Sequence, residues 1–519
     1  MEKPVVSADE AVAQIPDGAT IGIGGSGSGH AIPDKLLEAL GARFRATRRP
    51  GELTLLHAFG VGNQKDRGLE HVAIPEMYRR VVGGHWSMAP SMARLAEENR
   101  FEAYNLPAGI VVQLLHCAAA GSPGWLTHVG LHTFMDPRLE GGKLNESARE
   151  DIVELVERGG REWLFYPTIP VDVAFIHAWK ADPDGNLGMN EAAGSWHNCA
   201  LAQAAKAANG LTIAVVRERV ERGGIHPRDV RVPGCFVDFV VVDPEQGQTF
   251  QTDYDPAFSG DARRPESEFE KLPLTVRKAI ARRAAMELES GVVLNVGFGV
   301  PDGVLAVARE QGFADRIVPT IEHGQFGGTP AGGLDFGAVW NPDAILETGH
   351  MFDFYQGRGV DQTFLGFLQI DREGNVNVSK LAGRVIGTGG FIDISQRARK
   401  LVFCGTLAVK ADAQIENGKL RYHRHGKPKL VDQVAQVTFS GRYARELGQE
   451  TLYVTEAAVF RLTEEGVRLE EIAPGVDLER DIYPQLGFRP AISDDLRVIP
   501  KAVFREPRLP DKLFVKILT

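Results

Sequence analysis

The apolar run Ile317-Val318-Pro319-Thr320-Ile321 is followed without a break by Glu322-His323-Gly324-Gln325-Phe326-Gly327-Gly328. A carboxylate and an imidazole are thereby delivered onto a glycine-rich loop at the end of a strand. Ligands in open α/β sheets bind just outside the carboxyl ends of strands, so a catalytic group is expected in such a place. A carboxylate there can act as a general base, a metal ligand or a nucleophile. It can equally cap a turn or pair with an arginine, and a lone imidazole is more often structural. No second carboxylate or histidine stands at metal-ligand spacing, and no metal is expected. A second run, Gly387-Thr388-Gly389-Gly390, separates Arg384-Val385-Ile386 from Phe391-Ile392-Asp393-Ile394. Its backbone N–H groups could converge on an anion or a developing oxyanion, or the run could be a plain turn.

The elements that must position these loops read as one α/β unit used twice. Ala19-Thr20-Ile21-Gly22-Ile23 is a short buried strand followed by the glycine turn Gly24 to Gly29 and a helix opening at Pro33-Asp34. The same order returns in Val292 to Val296, then Gly297-Phe298-Gly299-Val300, then Pro301-Asp302. Aligning Pro33 with Pro301 places Gly29 on Gly297. A second match pairs Val171-Asp172, Phe175, Asp182, Gly185 and Asn186 with Val360-Asp361, Phe364, Asp371, Gly374 and Asn375. Short apolar runs such as Lys400 to Cys404 are what parallel strands covered on both faces look like. The expected fold is therefore two related open α/β domains in tandem, with mainly parallel sheets, over residues 1–255 and 270–519. Thr252 to Pro273, rich in Asp, Pro, Arg and Glu, reads as a surface linker between them. After it, Val276, Ile280, Ala284 and Leu288 make one apolar helix face, and Gly291 is placed to end the helix. In the first half the strand Leu53-Thr54-Leu55-Leu56 leads into His57-Ala58-Phe59-Gly60, with no carboxylate at the strand end.

At 519 residues the chain exceeds what one core usually supports, which agrees with two domains. A net charge of -10 with no long basic run argues against nucleic-acid binding. No apolar stretch reaches membrane-spanning length and the start is not an apolar signal core, so a cytoplasmic protein with no membrane partner is expected. Cys117, Cys199, Cys235 and Cys404 lie far apart without C-x-x-C spacing and are read as buried thiols. A dinucleotide reading of the glycine turns lacks a well-placed acidic residue about 20 positions on.

Several ordered segments together resemble the family I CoA-transferases, and among them the single-chain enzymes acting on short-chain acyl-CoA. They are Glu322-His323-Gly324 with Gly327-Gly328 and Pro330-Ala331-Gly332-Gly333, Phe352-Asp353-Phe354-Tyr355, Gly374 to Ser379, Gly389-Gly390-Phe391-Ile392, Phe403-Cys404-Gly405-Thr406 and Glu471 to Leu478. The resemblance spans nearly the whole chain. It implies that Glu322 is a nucleophile that becomes a glutamyl-CoA thioester, and that amides of Gly389 and Gly390 hold the thioester oxygen. It further implies that Gly297, Phe298, Gly299 and Val300 lie along CoA, with Gly387, Ala108 and Gly109 also at the cofactor. Coenzyme A would be substrate and covalent intermediate, with no prosthetic group. Acyl-CoA and small carboxylic acids would be the partners, and a homo-oligomer the assembly. Ala108 stands where relatives usually carry Gln, and Leu407 to Asp412 replaces a pair of glycines. A hydrolase using the same glutamate, or a non-enzymatic CoA- or nucleotide-binding protein, are the alternative readings.

Overall fold

The computed structural model describes residues 2–506, 508–510 and 513. The chain forms two compact units, one of residues 1–264, 322–353 and 382–393, the other of 265–321, 354–381 and the remainder from 394. Neither unit is a continuous stretch. The segments carrying Glu322 and Gly389-Gly390 belong to the first unit, whereas the sequence reading gives 270–519 to one domain.

In the first unit, seven parallel strands run in the order Phe239–Val242, Leu211–Arg219, Val173–Ala181, Thr20–Ile23, Leu53–His57, Tyr78–Gly83 and Glu102–Asn105. Leu53–His57 is buried throughout, as a strand covered on both faces must be. In the second unit, Val318–Thr320, Val293–Val296, Gln362–Gly366, Lys400–Cys404 and Glu450–Val454 are parallel in that order. Strands Ala458–Thr463 and Gly466–Ile472 continue the sheet antiparallel. Five strands share one spatial order: Leu53–His57, Thr20–Ile23, Val173–Ala181, Leu211–Arg219 and Phe239–Val242 match the five of the second unit, and the first unit adds Tyr78–Gly83 and Glu102–Asn105 beyond Leu53–His57.

The repeat extends to individual hydrogen bonds. The Asp172 carboxylate accepts from Thr20 N–H at 2.8 Å, and Asp361 accepts from Val293 N–H at 2.9 Å. Asn186 Nδ2 donates to Asp182 at 2.9 Å and Asn375 Nδ2 to Asp371 at 3.0 Å. Gly24 N–H donates to Phe175 O at 2.9 Å, and Gly297 N–H to Phe364 O at 2.8 Å. Gly24, not Gly29, is therefore the counterpart of Gly297. The loop from the strand end to Pro33 has nine residues (24–32) in the first copy against four (297–300) in the second. Anchoring the alignment on proline puts that insertion on the wrong side of the glycines.

Two linker and helix readings need correction. Asp255 caps a helical turn, Pro256–Ser259, by accepting from Ala257 N–H at 2.9 Å. Phe258 is 1% exposed in a cluster with Ala193, Ala331, Ala338 and Trp340. The expected linker is thus anchored over its first third, because one turn is too short to show an apolar period. The helix, Val276–Ala285, ends before Leu288 and Gly291, and it is buried beyond its apolar face, with Lys278, Arg282 and Arg283 also buried. Arg283 Nε donates to Glu471 at 2.7 Å and its Nη1 to Glu287 at 2.8 Å, while Lys400 Nζ donates to Glu287 at 2.7 Å.

Although burial works against its charge, the cations Arg283 and Lys400 hold the Glu287 carboxyl down at about 2. A carboxyl whose folded value lies below the unfolded one, about 4.3, stabilises the fold fully above that value and loses the effect as pH falls toward 2. Glu287→Gln is expected to lower stability by about 3–5 kcal/mol at pH 7, since two buried cations lose their anion. Urea unfolding at pH 7 and pH 3 checks this: the gap between wild type and variant narrows at the lower pH.

Candidate active site

Glu322 stands two residues past the strand Val318–Thr320, and its side chain keeps 22% of its surface accessible. The segment 382–393 is held on the first unit by main-chain bonds. Trp86 N–H donates to Ile386 O at 2.8 Å, Gly389 N–H to Gly84 O at 2.8 Å, and Ala108 N–H to Gly389 O at 2.8 Å. Asn105 Oδ1 accepts from Thr388 N–H at 3.0 Å. This scaffold presents Gly390, whose N–H donates to the Glu322 carboxylate. A Cβ on Gly390 would collide with Glu322 Oε2 and stand 3.2 Å from Phe352 Cε1.

Aromatic rings close the surroundings. Phe59, in the first-half loop without a carboxylate, stacks on Phe352 at 6.0 Å and meets His323 edge-on at 5.0 Å. Trp196 also meets His323 edge-on at 4.9 Å, from a backbone φ of 49°, unusual for so bulky a residue. Burial pushes Glu322 up to about 7, with the Gly390 N–H working against the rise. Burial pushes the His323 imidazole down to about 3.

Among the other expected residues the structure separates roles. Gly389, Ala108 and Gly109 cannot offer their amides to a ligand as arranged: Gly389 donates to Gly84, Ala108 to Gly389, and Gly109 to Asp393 Oδ2 at 3.2 Å. Of the expected oxyanion pair only Gly390 directs its N–H at the Glu322 carboxylate. Gly387 forms a bridge with His85, and a Cβ on it would lie 2.7 Å from His85 Cα. Gly297, Phe298, Gly299 and Val300 stand in the second unit, where Gly297 N–H is used by Phe364 O and Gly299 N–H reaches Asp302 Oδ2 at 3.3 Å. What that loop exposes is the Phe298 ring, 58% accessible. Of the four thiols, Cys117 and Cys404 are buried, Cys199 is half-buried and Cys235 is exposed. The expectation of four buried thiols fails at Cys235, which lies in a short turn, Gly234–Phe236, that buries only Gly234.

The sequence reading missed Ser26, His30 and Trp196, which pack around His323. The signal for Ser26 and His30 was the nine-residue first loop, longer than its repeat requires; Trp196 lies outside that loop. Among the described residues no helix is long and apolar enough to cross a membrane.

The family described as coenzyme A transferase matches residues 5–243. An acetate CoA-transferase, YdiF, of Escherichia coli strain K12 is 42% identical over 96% of this chain and 95% of its own. The chain belongs to the family I CoA-transferases. The caffeate CoA-transferase of Acetobacterium woodii is 41% identical over 96% of this chain and 97% of its own. Crystal structures of YdiF from E. coli O157:H7 superpose on this CoA-transferase at 40% identity. The apoenzyme gives a TM-score of 0.94, covering 98% of this chain and 97% of that one. A thioester complex with CoA gives 0.92, covering 97% and 96%. Coenzyme A is therefore a substrate of this transferase, exchanged between acyl-CoA and carboxylates.

Proposed function

We propose that this CoA-transferase exchanges CoA between short-chain acids by ping-pong chemistry through a glutamyl-CoA thioester on Glu322. The observation that carries it is one carboxylate, raised by burial and hydrogen-bonded by the Gly390 N–H, among the rings of Phe59 and Phe352. Such a carboxylate is poorly solvated and so more nucleophilic than one in water. Glu322 attacks the acyl-CoA carbonyl, the C–S bond breaks, and a mixed anhydride and CoA thiolate result. The thiolate attacks the glutamyl carbonyl, the anhydride C–O bond breaks, and the first acid departs as its carboxylate. A second carboxylate reverses both steps. The Gly390 N–H, which donates to the Glu322 carboxylate, supports the charge that develops when the glutamyl carbonyl is attacked, and excluding water keeps the anhydride from hydrolysis. Acetate is the favoured acid, supported by the 42% identical acetate enzyme; the caffeate relative makes an aromatic acid the competitor to test. Acting as a homo-oligomer in the cytoplasm is part of the same reading.

Incubation with acetyl-CoA and no acceptor is expected to add the mass of CoA to the peptide containing Glu322. A panel of acetate, propionate, butyrate, a 3-oxo acid and caffeate then identifies the acceptor. Water-driven loss of acetyl-CoA at the same rate with and without acceptor would make the protein a hydrolase instead. Because the attacking form is the carboxylate and its value is about 7, kcat/KM should fall about tenfold per pH unit below 7 and level off above it.

A further inference from the structure

His323 follows the nucleophile and its Nε2 stands 4.0 Å from Glu322 Oε1, too far for a hydrogen bond. Both ring nitrogens are engaged elsewhere. Nδ1 lies 3.3 Å from Gly337 O, and Nε2 lies 2.7 Å from Ser26 Oγ. A carbonyl oxygen can only accept, so Nδ1 carries the proton. In a neutral imidazole Nε2 is then bare, and the Ser26 hydroxyl donates to it.

The surroundings hold this arrangement in place. Ser26 is 2% exposed and fixed by a reciprocal main-chain pair, Ser26 N–H to His30 O at 2.8 Å and His30 N–H to Ser26 O at 3.0 Å. Gly337 lets its backbone approach two imidazoles, since a Cβ there would lie 2.6 Å from His323 Nδ1 and 3.1 Å from His30 Nε2. His30 Nε2 meets Phe336 O at 3.0 Å. The titratable groups gathered around His323 are His30 and His197, both driven toward the neutral form by burial, and Glu322 itself.

We propose that Ser26 is a positioning residue for CoA transfer: with the His323 proton held on Nδ1 by Gly337 O, the Ser26 hydroxyl fills the lone pair of Nε2 and so keeps a proton off the nitrogen 4.0 Å from Glu322. The proposal rests on Glu322 being the nucleophile and extends it. A second proton, on Nε2, would make a cationic imidazolium 4.0 Å from the carboxylate. With a small approach it would make a charge-assisted hydrogen bond, which ties up the lone pairs that must attack the thioester. The serine therefore acts through the histidine, by keeping a competing donor away.

The test combines two variants, a spectrum and a trap. In Ser26→Ala the lone pair of Nε2 is free to take a second proton. The acid limb of kcat/KM is expected to move down by about one pH unit and the plateau kcat to fall about tenfold, the scale of one hydrogen bond to a charged group. KM for acyl-CoA should stay constant. Ser26→Thr, which keeps the hydroxyl, should restore the wild-type limb. Nitrogen-15 spectra of histidine-labelled wild type, with the His323 signals assigned by their loss in His323→Gln, should show a protonated Nδ1 and a bare Nε2; this needs no folded Ser26 variant. A protonated Nε2 in wild type, or an unmoved acid limb in a folded Ser26→Ala, overturns the proposal. The CoA adduct on Glu322, measured in wild type, separates the two claims. If it forms and the Ser26→Ala limb is unmoved, only the role of Ser26 falls; if it does not form, the nucleophile itself is wrong.

Discussion

Alanine at position 322 is expected to bring CoA transfer down to background, about a millionfold, while the protein folds and binds CoA. Losses of that size follow when the group that forms the covalent bond is removed, because no neighbour can replace it. His323 cannot serve, since its Nε2 is occupied by Ser26 and its Nδ1 by Gly337 O. Glu322→Asp keeps the charge but withdraws it by one methylene, and a displacement of about 1 Å at a reacting atom costs about a hundredfold. Glu322→Gln should add stability above pH 7. The folded carboxyl sits near 7 against about 4.3 unfolded, so its charged form weakens the fold progressively between those values and fully above 7. The neutral amide escapes this, by on the order of 3 kcal/mol before solvent screening reduces it, and by nothing at pH 4. Turnover, CoA binding by calorimetry and melting at pH 4 and pH 8 read the three effects separately. Transfer above background in the alanine variant would end the glutamyl mechanism.

The parallel sheets were legible because their strands are covered on both faces and read as unbroken apolar runs. Lys400–Cys404 matches the expected strand residue for residue, although Lys400 lies in it buried against Glu287. The repeated Asp, Gly and Asn positions were legible because each encodes a local turn: Gly185 and Gly374 take φ of 80° and 81° beside Asp182 and Asp371. What the sequence hides is the destination of each main-chain donor. Nothing in Gly387-Thr388-Gly389-Gly390 says that Gly389 gives its N–H to Gly84 and Gly390 to Glu322, because both acceptors come from distant segments. The convergence of Ser26, Phe59, Trp196 and Phe352 on one loop is hidden for the same reason. The buried charges of Val276–Ala285 were not legible, because an apolar period shows which face is buried, not whether the opposite face also finds partners.

A side chain at Gly390 should also be damaging, though less than loss of Glu322, and for a different reason from one at Gly389. Gly389 sits at φ 53° with nothing nearer to an added Cβ than His85 Cδ2 at 3.8 Å. It needs glycine for conformation, so Gly389→Ala should cost about 1–2 kcal/mol of stability from the left-handed backbone and leave turnover within a few fold. Gly390 has an ordinary φ and no space, because any Cβ enters the volume of Glu322 Oε2 and presses on Phe352. The carboxylate must then swing away, and the Gly390 N–H loses its target. Gly390→Val is therefore expected to lower kcat by at least a hundredfold, the scale of a lost oxyanion donor, with little change in unfolding midpoint. The glutamyl-CoA adduct should also build up far more slowly, since the first attack already depends on where the carboxylate points. Comparable turnover losses in Gly389→Ala and Gly390→Val would mean that the loop acts only as a turn, and full turnover in Gly390→Val would remove its amide from the reaction.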